Sequence, residues 1–83
     1  MKFTVVWKPQ AERTLLELWL ESSERKRLTQ AAEEIESLVR QRPETVGEGR
    51  ASGRRWLFVE PLGVDYSVSV QDRVVEIINV WKA

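Results

Sequence analysis

Neither cysteine nor histidine occurs in this sequence. Without cysteine there is no disulfide framework and no thiolate nucleophile, and nothing argues for an oxidising compartment. Without histidine the side chain most used as a general base near neutral pH is gone, and with cysteine also missing so are the usual zinc ligands. No metal or cofactor is therefore expected, and any chemistry falls to Arg, Lys, Glu, Asp, Tyr or Ser. Long hydrophobic runs are missing too. The opening stretch MKFTVVWKPQ is too short for a signal peptide and no run approaches a membrane span, so the expectation is a cytoplasmic protein with no membrane partner.

Net charge is another absence. Lys plus Arg equal Asp plus Glu at 13 each, so the summed charge supplies no general attraction to phosphate backbones. The distribution is uneven, however. Seven acidic and four basic side chains fall between Glu12 and Glu36, net −3, whereas five basic and two acidic fall between Arg40 and Arg55, net +3. The basic stretch, which carries Arg50, Arg54 and Arg55, reads either as a solvated loop or as an anion-binding one.

At 83 residues the chain is one domain, residues 1–83, near the lower end of what a single core holds together unaided. Alternation of Phe3, Val5 and Trp7 against Lys2 and Thr4 predicts a first strand. Pro9 suits the first turn of a helix, and Ala11, Leu15, Leu18 and Trp19 follow at helical spacing. Ser22 or Ser23 interrupts and can cap a second helix, from Glu24 to about Arg42, whose stripe is Leu28, Ala31, Ile35 and Leu38 and whose stop is Pro43. Gly47, Gly49 and Gly53 mark a loop. Three strands then follow, from Arg54 to Glu60, from Val64 to Val70, and from Val74 onward. The predicted class is α+β, in the order β-α-α-β-β-β, with a helical hairpin on one face of a small, mainly antiparallel sheet.

Two apolar runs strain that arrangement. Trp56-Leu57-Phe58-Val59 and Val74-Val75, Ile77-Ile78, Val80-Trp81 place large apolar groups on both faces, and two helices cover one. A partner surface containing Trp56, Leu57, Val59, Ile78 and Val80 is the expectation, closed by a second copy or a different protein. Pro61-Leu62-Gly63 fits a three-residue hairpin loop with Gly63 in the bulge position. That register puts Trp56 and Phe58 on one face with Tyr66 and Val68, and Arg55, Leu57 and Val59 on the other with Asp65; a two-residue loop would swap the sets on the second strand.

The order of elements, the Trp7-x-Pro9-x-Ala11 helix entry, the Leu28, Ala31, Ile35, Leu38 stripe ending at Pro43, the Gly47 and Arg55-x-Leu57 spacing, and Leu62-x-Val64-x-Tyr66-x-Val68 before Asp72-Arg73-x-Val75 together resemble the RelE/ParE toxin superfamily of bacterial toxin–antitoxin modules, including plasmid-stabilisation proteins. The likeness spans nearly the whole chain. It implies one of two activities: cleavage of messenger RNA on the ribosome, by basic residues on the sheet face away from the helices, or inhibition of DNA gyrase. It also implies a cognate antitoxin that wraps the chain. A homodimer or an inactive binding module on the same fold is the remaining alternative.

On the endoribonuclease reading, the resemblance implies Arg55 and Arg54 as phosphate clamps, Glu48 as a loop carboxylate and Lys82 as a late basic group, with Arg50, Arg54 and Arg55 touching RNA. Tyr66 matches the family's tyrosine, although its alternation with Val64 and Val68 favours the core. Three departures weaken that reading. The arginine often found three residues before the tyrosine falls on Gly63, the sequence stops at Ala83 before the tail that commonly supplies a late catalytic residue, and the net charge is zero.

Overall fold

The computed structural model describes residues 2–83. Strand β1 (Thr4–Trp7) leads into helix α1 (Pro9–Glu21), helix α2 (Arg25–Gln41), a two-residue strand β2 (Glu48–Gly49), a 3-10 turn (Ala51–Gly53), and strands β3 (Arg54–Val59), β4 (Leu62–Ser69) and β5 (Val74–Lys82). The sheet order is β1-β5-β4-β3-β2. Only β1 and β5 run parallel; the other neighbours are antiparallel. The α+β class and the order of elements are those expected, with β2 as an addition.

Local chemistry sets the helix limits. Pro9 opens α1, where its missing N–H would be unpaired in any case. Between the helices the Glu24 N–H donates to Ser22 Oγ at 2.8 Å, so Ser22 shapes the entry to α2. Pro43 follows the end of α2 and is itself buried. The core lies between the helices and one face of the sheet: Leu28, Ala31, Ile35 and Val39 of α2 meet Leu57, Leu62, Val64, Tyr66, Val75, Ile77 and Val80.

The hairpin between β3 and β4 turns on two residues. Val59 pairs with Leu62, Leu57 with Val64 and Arg55 with Tyr66. The three-residue loop at Pro61-Leu62-Gly63 does not form, because it would hold Leu62 out in the turn whereas this side chain is completely buried. Gly63 is accordingly a strand residue, paired with Phe58 and Trp81. The swapped register follows: Arg55, Leu57 and Val59 share the helix-facing side with Leu62, Val64 and Tyr66, and Arg54, Trp56 and Phe58 share the open side with Gly63, Asp65 and Ser67.

The doubled apolar pairs of β5 also find their reason. Tyr66 pairs with Ile77 and Asp65 with Asn79, so Ile78 is an extra residue in the ladder. This β-bulge reverses the alternation, and Val75, Ile77 and Val80 all face the helices although the last two are three apart. The Ile78 carbonyl at the bulge accepts a hydrogen bond of 3.0 Å from Gln10 Nε2 on α1. On the open face Trp81, Trp56 and Phe58 pack edge to face, with ring centroids 5.3 to 6.3 Å apart. These aromatics are the apolar surface of that face, and Phe58 stays 52% exposed.

Candidate functional site

Arg54 and Arg55 open β3 at the end of the sheet where β4 finishes, and Arg50 lies just before the 3-10 turn that feeds them. Together with Glu44, Gly49 and Val68 they line a cleft of about 290 Å³. Strand alternation sends the neighbouring arginines to opposite sides of the sheet.

Arg54 takes the open side, where Nη1 lies 2.5 Å from Asp65 Oδ2. Asn79 Nδ2 donates to the same oxygen at 3.2 Å. Asp65 is buried and its other oxygen, Oδ1, has no partner among the described residues, so the carboxylate depends on Arg54 for most of its compensation. Arg50 stacks on Trp56, its guanidinium carbon 4.1 Å from the ring centroid, and pairs with Glu48 at 2.6 Å.

Arg55 takes the helix side. Its Nη2 donates to the Gly47 carbonyl at 2.5 Å, and its Nε is buried without a partner among the described residues. Tyr66, opposite Arg55 in the ladder, donates its hydroxyl to the Pro43 carbonyl at 2.6 Å. Burial pushes the Tyr66 phenol above its ordinary value, an effect opposed by the hydrogen bond and positive charge of Arg55 and by the Gly47 backbone. Tyr66 is thus a protonated phenol locked into the core, as its alternation suggested, and not a base waiting for a substrate.

The three arginines come together, but each is tied down by a different anchor. A guanidinium carries five N–H donors, so these anchors leave donors free toward the cleft. Arg55 departs from what the resemblance implies: it lies on the helix side, because it alternates in phase with Leu57 and Val59, which pack against the core. Glu48 sits on the outer edge strand bound to Arg50, and Glu44, which the sequence reading did not single out, lines the cleft itself. Lys82 pairs with Leu62, at the far end of the sheet from Arg54, which pairs with Ser67. Five residues of strand, roughly 17 Å, separate the two levels, so Lys82 takes no part in this cleft.

The expected partner surface also needs correction. Leu57 and Val80 are buried, and Val59 packs against the same core, all on the helix side. Ile78 is the bulge residue. Of the five, Trp56 alone stands on the open face, with Phe58 and Trp81, which the expectation omitted. No group of three or more Asp and Glu side chains placed to hold a metal occurs among the described residues. No helix there is long and apolar enough to cross a membrane.

No family model matches this sequence, and no curated protein matches it significantly. Solved structures do match. A chain of the RelBE2 toxin–antitoxin complex from Mycobacterium tuberculosis aligns over 100% of both chains at 20% identity with a TM-score of 0.83. A chain of the ParDE TA system from P. aeruginosa aligns over 99% of this chain and 97% of its own at 15% identity and a TM-score of 0.75. The YoeB dimer from Staphylococcus aureus follows at 16% identity and 0.70, over 100% and 98%. The fold is that of the RelE/ParE-like toxins.

Proposed function

We propose that this chain is the toxin of a type II toxin–antitoxin pair and that it acts on messenger RNA at the ribosome, neutralised by a cognate antitoxin. The observation that carries this reading is the convergence of Arg50, Arg54 and Arg55 on one cleft in a chain with no net charge. Three guanidinium groups concentrated at one end of the sheet make a local phosphate site, since each stays charged and can bind two oxygens at once.

For RNA the reaction would be attack of a 2′-hydroxyl on the adjacent phosphorus, with expulsion of the 5′-oxygen of the next nucleotide. Arginine donors would neutralise the phosphorane, the largest requirement of such a step. Glu44 and Glu48 are the carboxylates beside those arginines and the available proton acceptors, since Tyr66 is committed to Pro43.

Induced expression of the chain alone in a bacterial host, with growth followed and the 5′ ends of cellular messages mapped, tests the reading. Growth arrest with new ends inside translated codons is the expected result. Arrest with intact messages would move the target to DNA gyrase, and continued growth at high soluble expression would remove the toxin reading.

A further inference from the structure

We infer that Asp65 and Asn79 are positioning residues of the arginine cleft: a row of side chains across three strands, Asn79 on β5, Asp65 on β4 and Arg54 on β3, aims the Arg54 guanidinium at a bound phosphate. The inference rests on the reading of the cleft as a phosphate site and adds two residues that do not themselves line it. Asp65 pairs with Trp56 and Arg54 with Ser67, so the carboxylate stands diagonal to Arg54 on the open face, within reach of a long side chain. On its other side Asp65 pairs directly with Asn79. The bulge at Ile78 is what puts Asn79 there. In a regular ladder Ile78 would stand opposite Asp65, and Asn79 would turn toward the helices. The bulge thus re-aims an amide at the carboxylate, and Gln10 of α1 holds the bulge by its hydrogen bond to the Ile78 carbonyl.

The hydrogen bonds have the form that positioning requires. Arg54 Nη1, at 2.5 Å, and Asn79 Nδ2, at 3.2 Å, both donate to Asp65 Oδ2, on a side chain only 10% exposed. Two donors on one oxygen, approaching from opposite neighbours, fix the rotation of the carboxylate, while Oδ1 has no partner among the described residues. The contact with Arg54 is therefore end-on and not the bidentate fork that arginine often makes with a carboxylate. One of five N–H donors is used, and the others remain for phosphate oxygens. The other two arginines have no such braced anchor: Arg50 rests on the exposed Glu48 and on Trp56, and Arg55 donates to a backbone carbonyl. Charge alone gives no reason for Asp65. A carboxylate beside the cleft subtracts from its attraction for phosphate, so the effect of Asp65 on affinity and its effect on geometry have opposite signs. That opposition makes the two separable.

The test compares Asp65→Asn and Asn79→Ala with the unaltered chain in cleavage of ribosome-bound message, with KM and kcat measured separately and spectral dispersion showing an intact fold. Asp65→Asn keeps the shape and removes the charge, so KM should stay level or fall while kcat drops about tenfold or more. Asn79→Ala, at an exposed position, should lower kcat roughly threefold with KM unchanged. A kcat that is unaltered in both variants, or that rises as the charge is removed, would overturn the proposal. A second readout needs no activity: the Arg54 Nε–H signal of the isotope-labelled chain is followed while inorganic pyrophosphate is added. It should shift in the unaltered chain and lose about half or more of that shift in Asp65→Asn. An unaltered chain that shows the shift but cuts no message fails the RNA-cleavage reading alone. No shift, or an equal shift in Asp65→Asn, sinks the positioning role whatever the chain cuts.

Discussion

Trp81 lies directly over Gly63, so close that a Cβ placed on Gly63 would come within 2.7 Å of the indole and within 2.9 Å of the Phe58 ring. The missing side chain in β4 is what lets the aromatic cluster of Trp56, Phe58 and Trp81 lie down on the sheet. Sequence logic assigned this glycine to a turn; its role is close approach.

Gly63→Ala should therefore destabilise by overpacking, about 1–3 kcal/mol, even though its backbone needs no left-handed conformation. For a domain of this size that corresponds to a fall in Tm of roughly 4–8 °C per kcal/mol. In a Trp81→Ala background the same change should cost much less, since its principal clash is gone. Thermal unfolding of the four variants measures the coupling, and equal costs in both backgrounds would show that the two residues do not interact.

The pair Arg54 and Asp65 makes a second coupling. Removing the guanidinium leaves a buried carboxylate with Asn79 as its remaining partner. Arg54→Ala should cost about 1–2 kcal/mol, between a surface and a buried pair, because the Arg54 side chain is 39% exposed and that of Asp65 only 10%. Asp65→Asn should reduce that cost by removing the charge that Arg54 compensates. Denaturant midpoints for the two single variants and the double variant decide it.

How much of this was legible in the sequence divides by the range of the interaction. Pro9, the Leu28, Ala31, Ile35 stripe and Pro43 act within a turn or two of themselves, and the helices stand where those residues put them. Register is non-local. Pro61-Leu62-Gly63 satisfied the rules of a three-residue loop, and what decided against it was the burial of Leu62 beneath the helices. That one-residue difference put Tyr66 on the same face as Arg55 and Leu57, and Asp65 on the same face as Arg54 and Trp56. The bulge at Ile78 likewise left its trace in the doubled apolar pairs of β5, but its position depends on pairing with Asp65 and Tyr66. The arginines were visible as a charge cluster; their anchors, Asp65, Gly47 and Trp56, come from other elements.

Tyr66 is the single tyrosine of the chain, so its titration can be followed directly by phenolate absorbance. Its folded-state value is raised by burial, and the unfolded phenol ionises near about 10. Below that pH the phenol is neutral in both states and its contribution to stability is complete. As pH rises past the unfolded value the unfolded chain gains by ionising, and stability is lost until the folded phenol also ionises. Stability should accordingly fall above about pH 10, with phenolate appearing together with unfolding. Tyr66→Phe should flatten that fall and cost about 1–2 kcal/mol at neutral pH, since the Pro43 carbonyl loses its donor. Phenolate formation well below about pH 10 without unfolding would contradict a locked, protonated Tyr66.

Arg50 is the arginine through which the cleft's function is best probed. Arg54 compensates Asp65 and Arg55 is wired to Gly47 and faces Tyr66, so losing either confounds binding with folding. Arg50 is exposed, and its anchors are a surface pair with Glu48 and a stack on Trp56. Arg50→Ala should change stability by less than about 1 kcal/mol. If the cleft binds a phosphate backbone, the same substitution should weaken RNA binding across sequences and reduce the slope of log affinity against log salt by about one. Arg50→Lys should restore the charge and most of the salt slope, but not the planar stack on Trp56. Unchanged RNA affinity and salt slope in Arg50→Ala, with the fold intact, would remove Arg50 from the phosphate site.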